Sequence, residues 1–378
     1  ERGGDALTLE VSEVARQANG AGIGRHGDTI GLSAVVMGNK ETSTDYFPLT
    51  VDYEERFYAA GKILGSRFVR REGRASDEAT LSARLIDHTI RPLFDHRLRR
   101  EVQVTITILS YDEVHDPDAL ALLTTSAALA ISDIPWNGPV AGVPFVEKHE
   151  DGTLKHHAFF AGPKGKVNMI EFEGREVSES LAKELFVKGV GEIDRLVTFQ
   201  EKMVGEIGKP KTKIPLMTHD EGMVKAVSGF LAGKLVEAAR NKKLNELKDE
   251  MVKTLAQDAA LTPHLADIDD IFEEAVDRHV REGVMARDER PDGRKLDEVR
   301  DLYAEVGLFR RTHGSALFMR GDTQVLAVTT LASPGAEQLI ETMEMRGKQR
   351  FMLHYNFPGF STGETKRSRG PGRREIGH

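Results

Sequence analysis

The sequence contains no cysteine, which excludes disulfide cross-links and thiolate metal centres and fits a reducing compartment. No apolar run approaches the ~20 residues that a membrane-spanning helix needs. The first residues, Glu1-Arg2-Gly3-Gly4-Asp5, have no apolar core and do not read as a signal peptide. A net positive charge is also missing. Fifty-two Lys and Arg stand against sixty Asp and Glu, a formal net charge of -8. That balance argues against a protein that coats nucleic acid through its global charge, and leaves open one that grips it through local arginine clusters. The hydrophobic fraction of 39% and charged fraction of 30% are those of an ordinary globular chain, and 378 residues suffice for two or three domains. The one tryptophan, Trp136, follows Pro135 at the end of an Ala/Leu-rich segment and reads as core packing.

Against the acidic average stands a basic loop, Lys366-Arg367-Ser368-Arg369-Gly370-Pro371-Gly372-Arg373-Arg374. Gly-Pro-Gly bends the backbone just before an arginine pair. Guanidiniums and free N–H groups converging on one point suit a phosphate or phosphodiester. The residues alone leave a solvated basic loop open as the other reading.

The chain also repeats itself. Arg16-Gln17-Ala18-Asn19-Gly20, then Gly27-Asp28-Thr29, matches Arg310-Arg311-Thr312-His313-Gly314, then Gly321-Asp322-Thr323, at equal spacing. Each copy predicts a β-hairpin with a Gly-Asp turn. Phe47–Tyr53 has its counterpart in Phe351–Phe357, and Arg70-Arg71-Glu72-Gly73-Arg74 has its counterpart in Gly372-Arg373-Arg374. Asp28 and Asp322 read as turn residues rather than metal ligands.

Coarse periodicity fills in the rest. Ser76 predicts a helix start, with Leu81, Leu85 and Ile86 at helical spacing behind it. Val102–Ile108 alternates with period two, as a strand does, and Ala119–Ile131 reads as a buried helix. Between the copies, Val224–Val236, Leu244–Leu255 and Ile268–Val276 carry apolar residues at helical spacing, with Asp267 as a candidate cap of the last run. Residues 213–285 read as a helical module. Lys209-Pro210-Lys211 reads as the linker into it and Arg287–Arg294 as the linker out.

These motifs, with Leu85-Ile86-Asp87, Arg290-Pro291-Asp292-Gly293-Arg294 and Gly372-Arg373-Arg374-Glu375-Ile376-Gly377-His378, resemble the catalytic core of the bacterial polynucleotide phosphorylases, members of the RNase PH family. The resemblance spans nearly all of the chain. It implies an α+β fold of two RNase PH-like (ribosomal protein S5 domain 2-like) domains joined by an all-α helical domain, the second of them incomplete. Residues 1–145 would form the first domain and 146–212 a connecting segment completing it. Residues 213–285 would be the helical domain, and 286–378 the N-terminal part of the second domain.

The resemblance further implies 3′-to-5′ shortening of single-stranded RNA in mRNA degradation. Inorganic phosphate would be the attacking co-substrate, nucleoside diphosphates the products, and polymerisation the reverse reaction. It implies a cytoplasmic homotrimeric ring, other RNA-decay proteins as partners, and no membrane. Mg²⁺ would assist, held by ligands expected beyond residue 378, where KH and OB-fold domains usually follow. Arg373 and Arg374 match the active-site arginine pair, and His378 the histidine that orients the RNA end or a phosphate. Phe68, Arg70, Arg71 and Arg74 match the RNA-gripping loop of the first copy, and Arg91 is a further RNA contact. No metal ligand is assigned, and His313 and His354 have no carboxylates at suitable spacing.

Two departures matter. Val69 replaces the second of two aromatics, which weakens base stacking. His88-Thr89 replaces Arg-Pro, which removes a cation and a rigid turn; His88 reads as a surface or packing histidine. A non-catalytic RNA-binding ring and a hydrolytic relative stay open as alternatives.

Overall fold

The computed structural model describes residues 6–11, 14–44, 46–63, 65, 72–365 and 370–378, so Phe68, Arg70, Arg71, Lys366, Arg367 and Arg369 lie outside the described residues. The chain forms two compact units, one of Glu1–Leu216 with Glu337–His378 and one of Met217–Ala336.

The first unit is built on a sheet of β1 (Leu7–Glu10), β2 (Gly20–His26), β3 (Thr29–Glu41), β4 (Leu49–Glu54) and β5 (Arg100–Ser110), in the spatial order β1-β2-β3-β5-β4. Only β4 and β5 run parallel, and the crossover that a parallel pair requires carries α1 (Asp77–Ile90). Alternation along the strands puts Val51, Val102, Val104, Ile106 and Ile108 on the buried face. Helix α1 begins where expected, with the Ser76 hydroxyl accepting the Ala79 N–H at 2.9 Å. It buries Ala79, Ala83, Ile86 and Ile90, a stripe at helical spacing, in the same core.

Asp116 caps α2 (Pro117–Ile131), with Pro117 in the first turn. This helix is buried almost all round because it lies directly on the backbone of β2. A Cβ on Gly20 would sit 2.4 Å from the Ala128 carbonyl oxygen, and one on Gly24 2.1 Å from the Thr124 hydroxyl. Trp136 is buried as expected and donates its indole N–H to the Ile90 carbonyl at 3.0 Å.

A second, antiparallel sheet of β6 (Val140–Lys148), β7 (Leu154–Pro163) and β8 (Met169–Gly174) packs on α3 (Glu179–Ile207) through Val143, Ala158, Phe160, Leu185, Ile193 and Val197. The segment after α3 is more than a linker. The Lys211 ammonium donates to the carbonyls of Leu129, Ala130 and Ser132 at 2.8, 3.0 and 2.8 Å, closing the C-terminal end of α2. Burial pushes the Lys211 ammonium down to about 8, against the opposing pull of Asp133.

The second unit holds α4 (Glu221–Leu231), α5 (Leu235–Arg240), α6 (Leu244–Leu255) and α7 (Ile268–Arg287), packed around Met223, Val227, Leu247, Met251, Ile271 and Phe272. Two expectations change here. The apolar run Val224–Val236 is two helices, split where Gly233 takes φ +77°. Asp267 makes no side-chain cap, because α7 continues directly from a 3₁₀ turn over Thr262–Asp267.

The same unit carries β9 (Leu302–Val306), β10 (Gly314–Arg320) and β11 (Thr323–Thr329) in one antiparallel sheet. The two copies fold alike at the hairpin. β2 pairs with β3 from Gly20↔Val35 to His26↔Thr29, and β10 with β11 from Gly314↔Thr329 to Arg320↔Thr323. Both turns place their glycine, Gly27 and Gly321, at φ +57°.

The chain then rejoins the first unit through a hairpin of β12 (Gln338–Glu341) and β13 (Arg346–Gln349), followed later by the short helix α8 (Arg373–Gly377). Phe351–Phe357, the counterpart of β4, has no strand. In the first copy β4 hydrogen-bonds to β5. Among the described residues no strand pairs with 351–357, and an unpaired strand leaves most of its N–H and C=O groups without ladder bonds. Among the described residues no helix is long and apolar enough to cross a membrane.

Candidate active site

The arginine pair opens α8, and two residues outside the pair set its main chain. Glu375 uses both carboxylate oxygens, accepting the Gly372 N–H at 2.7 Å and the Phe357 N–H at 3.0 Å. It thereby ties the Gly-Pro-Gly bend to the 351–357 segment, the N3 half of a capping box. Arg84, on α1, donates to the Arg373 carbonyl at 2.7 Å.

The side chains expected to act follow from that frame. The Arg373 guanidinium donates to the Val51 carbonyl of β4 at 3.1 Å and lies 3.5 Å from the Asp52 carboxylate. The Arg374 guanidinium lies over the Phe357 ring, 4.4 Å from its centroid. Phe357 stacks with Tyr355 at 6.1 Å and 15°. The His378 ring sits 4.6 Å from Tyr355. Arg373, Arg374 and His378 are all exposed. The structure therefore gathers the three expected catalytic residues into one cationic, aromatic-backed cluster on β4 and α1 of the first copy.

The residues expected to grip RNA fare differently. Arg74 is exposed on the loop entering α1, while Phe68, Arg70 and Arg71 lie outside the described residues. Arg91 holds Asp87 with two bonds of 2.5 and 2.8 Å and also donates to the carbonyls of Phe47 and Leu49 at 3.3 and 3.0 Å. Four of its N–H groups are so engaged, the arrangement of a clasp between α1 and the start of β4. His88 is exposed. His313 accepts the Leu331 N–H at Nδ1, a structural bond beside the β10–β11 hairpin.

A second anchor holds the 337–378 segment in place. The turn of the β12–β13 hairpin buries Met343 completely in the first unit's core, and Lys62 donates to the Met343 carbonyl at 2.9 Å. The next residue, Glu344, enters an acidic neighbourhood. Burial, then the charges of Asp116, Glu55 and Glu78, push its carboxyl up to about 7. Asp118 is held well above the usual carboxylate range by burial and by Asp116 and Glu344, although the Ser82 hydroxyl donates to it at 2.8 Å. Burial likewise raises the Tyr53 hydroxyl well above its ordinary value.

These carboxylates form an acidic cluster at the β12–β13 turn, with Glu344 still largely exposed and its carboxylate neighbours half-buried. Among the described residues no group of three or more His, Asp or Glu side chains has the geometry to hold a metal ion.

Sequence reasoning missed Arg84, Asp52, Glu344 and the Tyr355–Phe357 backing. The contacts of Arg84 and Asp52 with Arg373 join segments about 300 residues apart, and no local pattern announces such pairs. Glu375 was findable, because a glutamate three residues after a helix-opening glycine is half of a capping box.

The comparisons with known proteins agree with this architecture. The model of the 3′ exoribonuclease family, domain 1 (RNase PH) matches residues 6–135 and 298–378, once over each copy. The model of the polyribonucleotide nucleotidyltransferase RNA-binding domain matches residues 233–295, within the helical unit. The polyribonucleotide nucleotidyltransferase of Bacillus licheniformis is 42% identical over 99% of this chain and 56% of its own length. That of Lysinibacillus sphaericus is 42% identical over 100% of this chain and 56% of its own, and that of Geobacillus kaustophilus 41% over 99% and 54%. The chain thus spans about half the length of the curated relatives it matches. With the RNase PH model covering more than half of its residues, the chain belongs to the 3′ exoribonuclease family.

Proposed function

We propose that this protein is a polyribonucleotide nucleotidyltransferase that shortens single-stranded RNA from its 3′ end by phosphorolysis. The observation that carries the reading is the cluster of Arg373, Arg374 and His378 on a main chain fixed from both sides. An oxygen of inorganic phosphate attacks the terminal phosphodiester phosphorus. The bond to the preceding nucleotide's O3′ breaks, that oxygen takes up a proton, and a nucleoside diphosphate leaves. Run backwards, the reaction polymerises.

Two anions must meet, and no protein nucleophile is required. Planar guanidiniums neutralise both anions with paired hydrogen bonds and stabilise the charge of the transition state. His378 is placed to orient the RNA end or the phosphate. Phe68, Arg70, Arg71 and Arg74 grip the incoming strand, while Arg91 braces the scaffold. The same reading includes a homotrimeric ring, a cytoplasmic role in mRNA degradation alongside other RNA-decay proteins, and Mg²⁺ held by ligands outside residues 1–378.

The test is product identity. A short labelled single-stranded RNA with Mg²⁺ and phosphate should yield nucleoside diphosphates only when phosphate is present. Arg374→Ala should cut the rate by about 10²–10³-fold, the usual cost of losing a transition-state charge partner. Monophosphates formed without phosphate would indicate hydrolysis instead. RNA bound but unchanged would indicate a non-catalytic ring.

A further inference from the structure

We propose that Arg84, on α1 of the first copy, is a positioning residue for the Arg373–Arg374 pair of the second. Its catalytic consequence rests on the phosphorolytic reading above; its structural part does not.

Helix α8 has five residues, too few to hold its own shape in water. Its geometry must come from outside. Glu375 fixes its beginning, as described. Arg84 fixes the rest with a single guanidinium. Nη1 donates to the Arg373 carbonyl at 2.7 Å, a charge-assisted bond to the main chain of the pair itself.

The same group also lies against Gly377. A Cβ there would sit 1.9 Å from Arg84 Nη1 and 2.6 Å from Cζ. The first and last residues of α8 are therefore both in contact with one planar cation. Arg84 in turn stands on a rigid base: Ala83, Leu85 and Ile86 beside it on α1 are 3%, 3% and 0% exposed. A side chain anchored in a packed core transmits that rigidity to what it holds.

The side chain of Arg373 is meanwhile tied to the Val51 carbonyl on β4, the strand on which α1 packs. The main chain and side chain of the pair are thus set by neighbouring elements of one packed layer. Arg374, one residue on, inherits its place over Phe357. In this arrangement the first copy acts on the chemistry by bracing the second copy's cations. Lysine at 84 would keep the charge but lose the flat fork that reaches the Arg373 carbonyl and fits the Gly377 backbone together.

Arg84→Met keeps most of the aliphatic stem and removes the donor. In the purified protein kcat should fall about 10- to 100-fold, the cost of a roughly 1 Å misplacement, with KM for RNA and for phosphate little changed. Hydrogen exchange over residues 372–378 should accelerate while the melting midpoint holds, and Arg84→Lys should recover part of both losses. Unchanged kcat and unchanged exchange would overturn the proposal. A raised KM for phosphate at unchanged kcat would make Arg84 a substrate ligand and overturn it equally. If the wild-type protein shows no phosphate-dependent turnover, the functional reading fails alone, and the exchange rates decide the positioning role. Should Arg84→Met not fold, Gly377→Ala displaces the guanidinium instead, with the same expected acceleration and the same overturning result.

Discussion

Glu344 sits in the tight turn that plugs the first unit, with Asp116, Asp118, Glu55, Glu78, Glu113, Tyr53 and Tyr111 as titratable neighbours and Lys62 on the adjacent carbonyl. Its carboxyl is pushed up to about 7 in the docked state, whereas the ordinary glutamate value is 4.5. The docked state therefore holds the proton more tightly. That contribution is complete below pH 4.5 and is lost as pH rises through 7. Because Glu344 stays largely exposed, solvent screening reduces this contribution to about 1 kcal/mol or less. Glu55, also raised by burial, acts in the same direction. Melting midpoints measured from pH 5 to pH 8 should fall for the native protein. Glu344→Gln, which keeps the shape without the charge, should flatten that profile and raise the midpoint at pH 8. An identical slope in the variant would remove Glu344 as the cause.

At the scale of elements, the decisive contact is between β2 and α2. Gly20 and Gly24 lie four residues apart on one face of the strand, and Leu120, Thr124 and Ala128 lie one turn apart on the helix. Backbone meets helix there without side chains between. Gly20→Ala pushes a methyl group against the Ala128 carbonyl and should cost about 1–3 kcal/mol, as overpacking does. Denaturant midpoints would measure it; a shift under 0.5 kcal/mol would show that α2 can slide. Helix limits were readable where the chemistry is local, as with Ser76. They were misread where a glycine or a preceding 3₁₀ turn intervened, as at Gly233 and Asp267.

At the scale of the molecule, a net charge of -8 gives no overall field that draws in RNA. On the proposed reading, affinity comes from a few local cations. Replacing Arg373 and Arg374 together by alanine should make the salt dependence of RNA binding shallower by roughly 1.4 in log K per log salt, about 0.7 for each lost phosphate contact. Filter binding over a salt series reads that slope, and an unchanged slope would place the phosphate contacts elsewhere.

The Gly-Asp turns, the helical spacing within 213–285 and the arginine pair were legible in the sequence because each is written in residues a few positions apart, and the duplication because the same short patterns recur in the same order. The placement of that pair was not. It depends on Arg84, Val51 and Asp52 meeting Arg373 across about 300 residues of chain, and on the Glu344 turn entering a core made by the first copy. The segment 351–357 gives the same lesson in reverse. Its residues match those of β4, but a strand exists only where another strand takes its hydrogen bonds, and that is decided by tertiary pairing rather than by local preference.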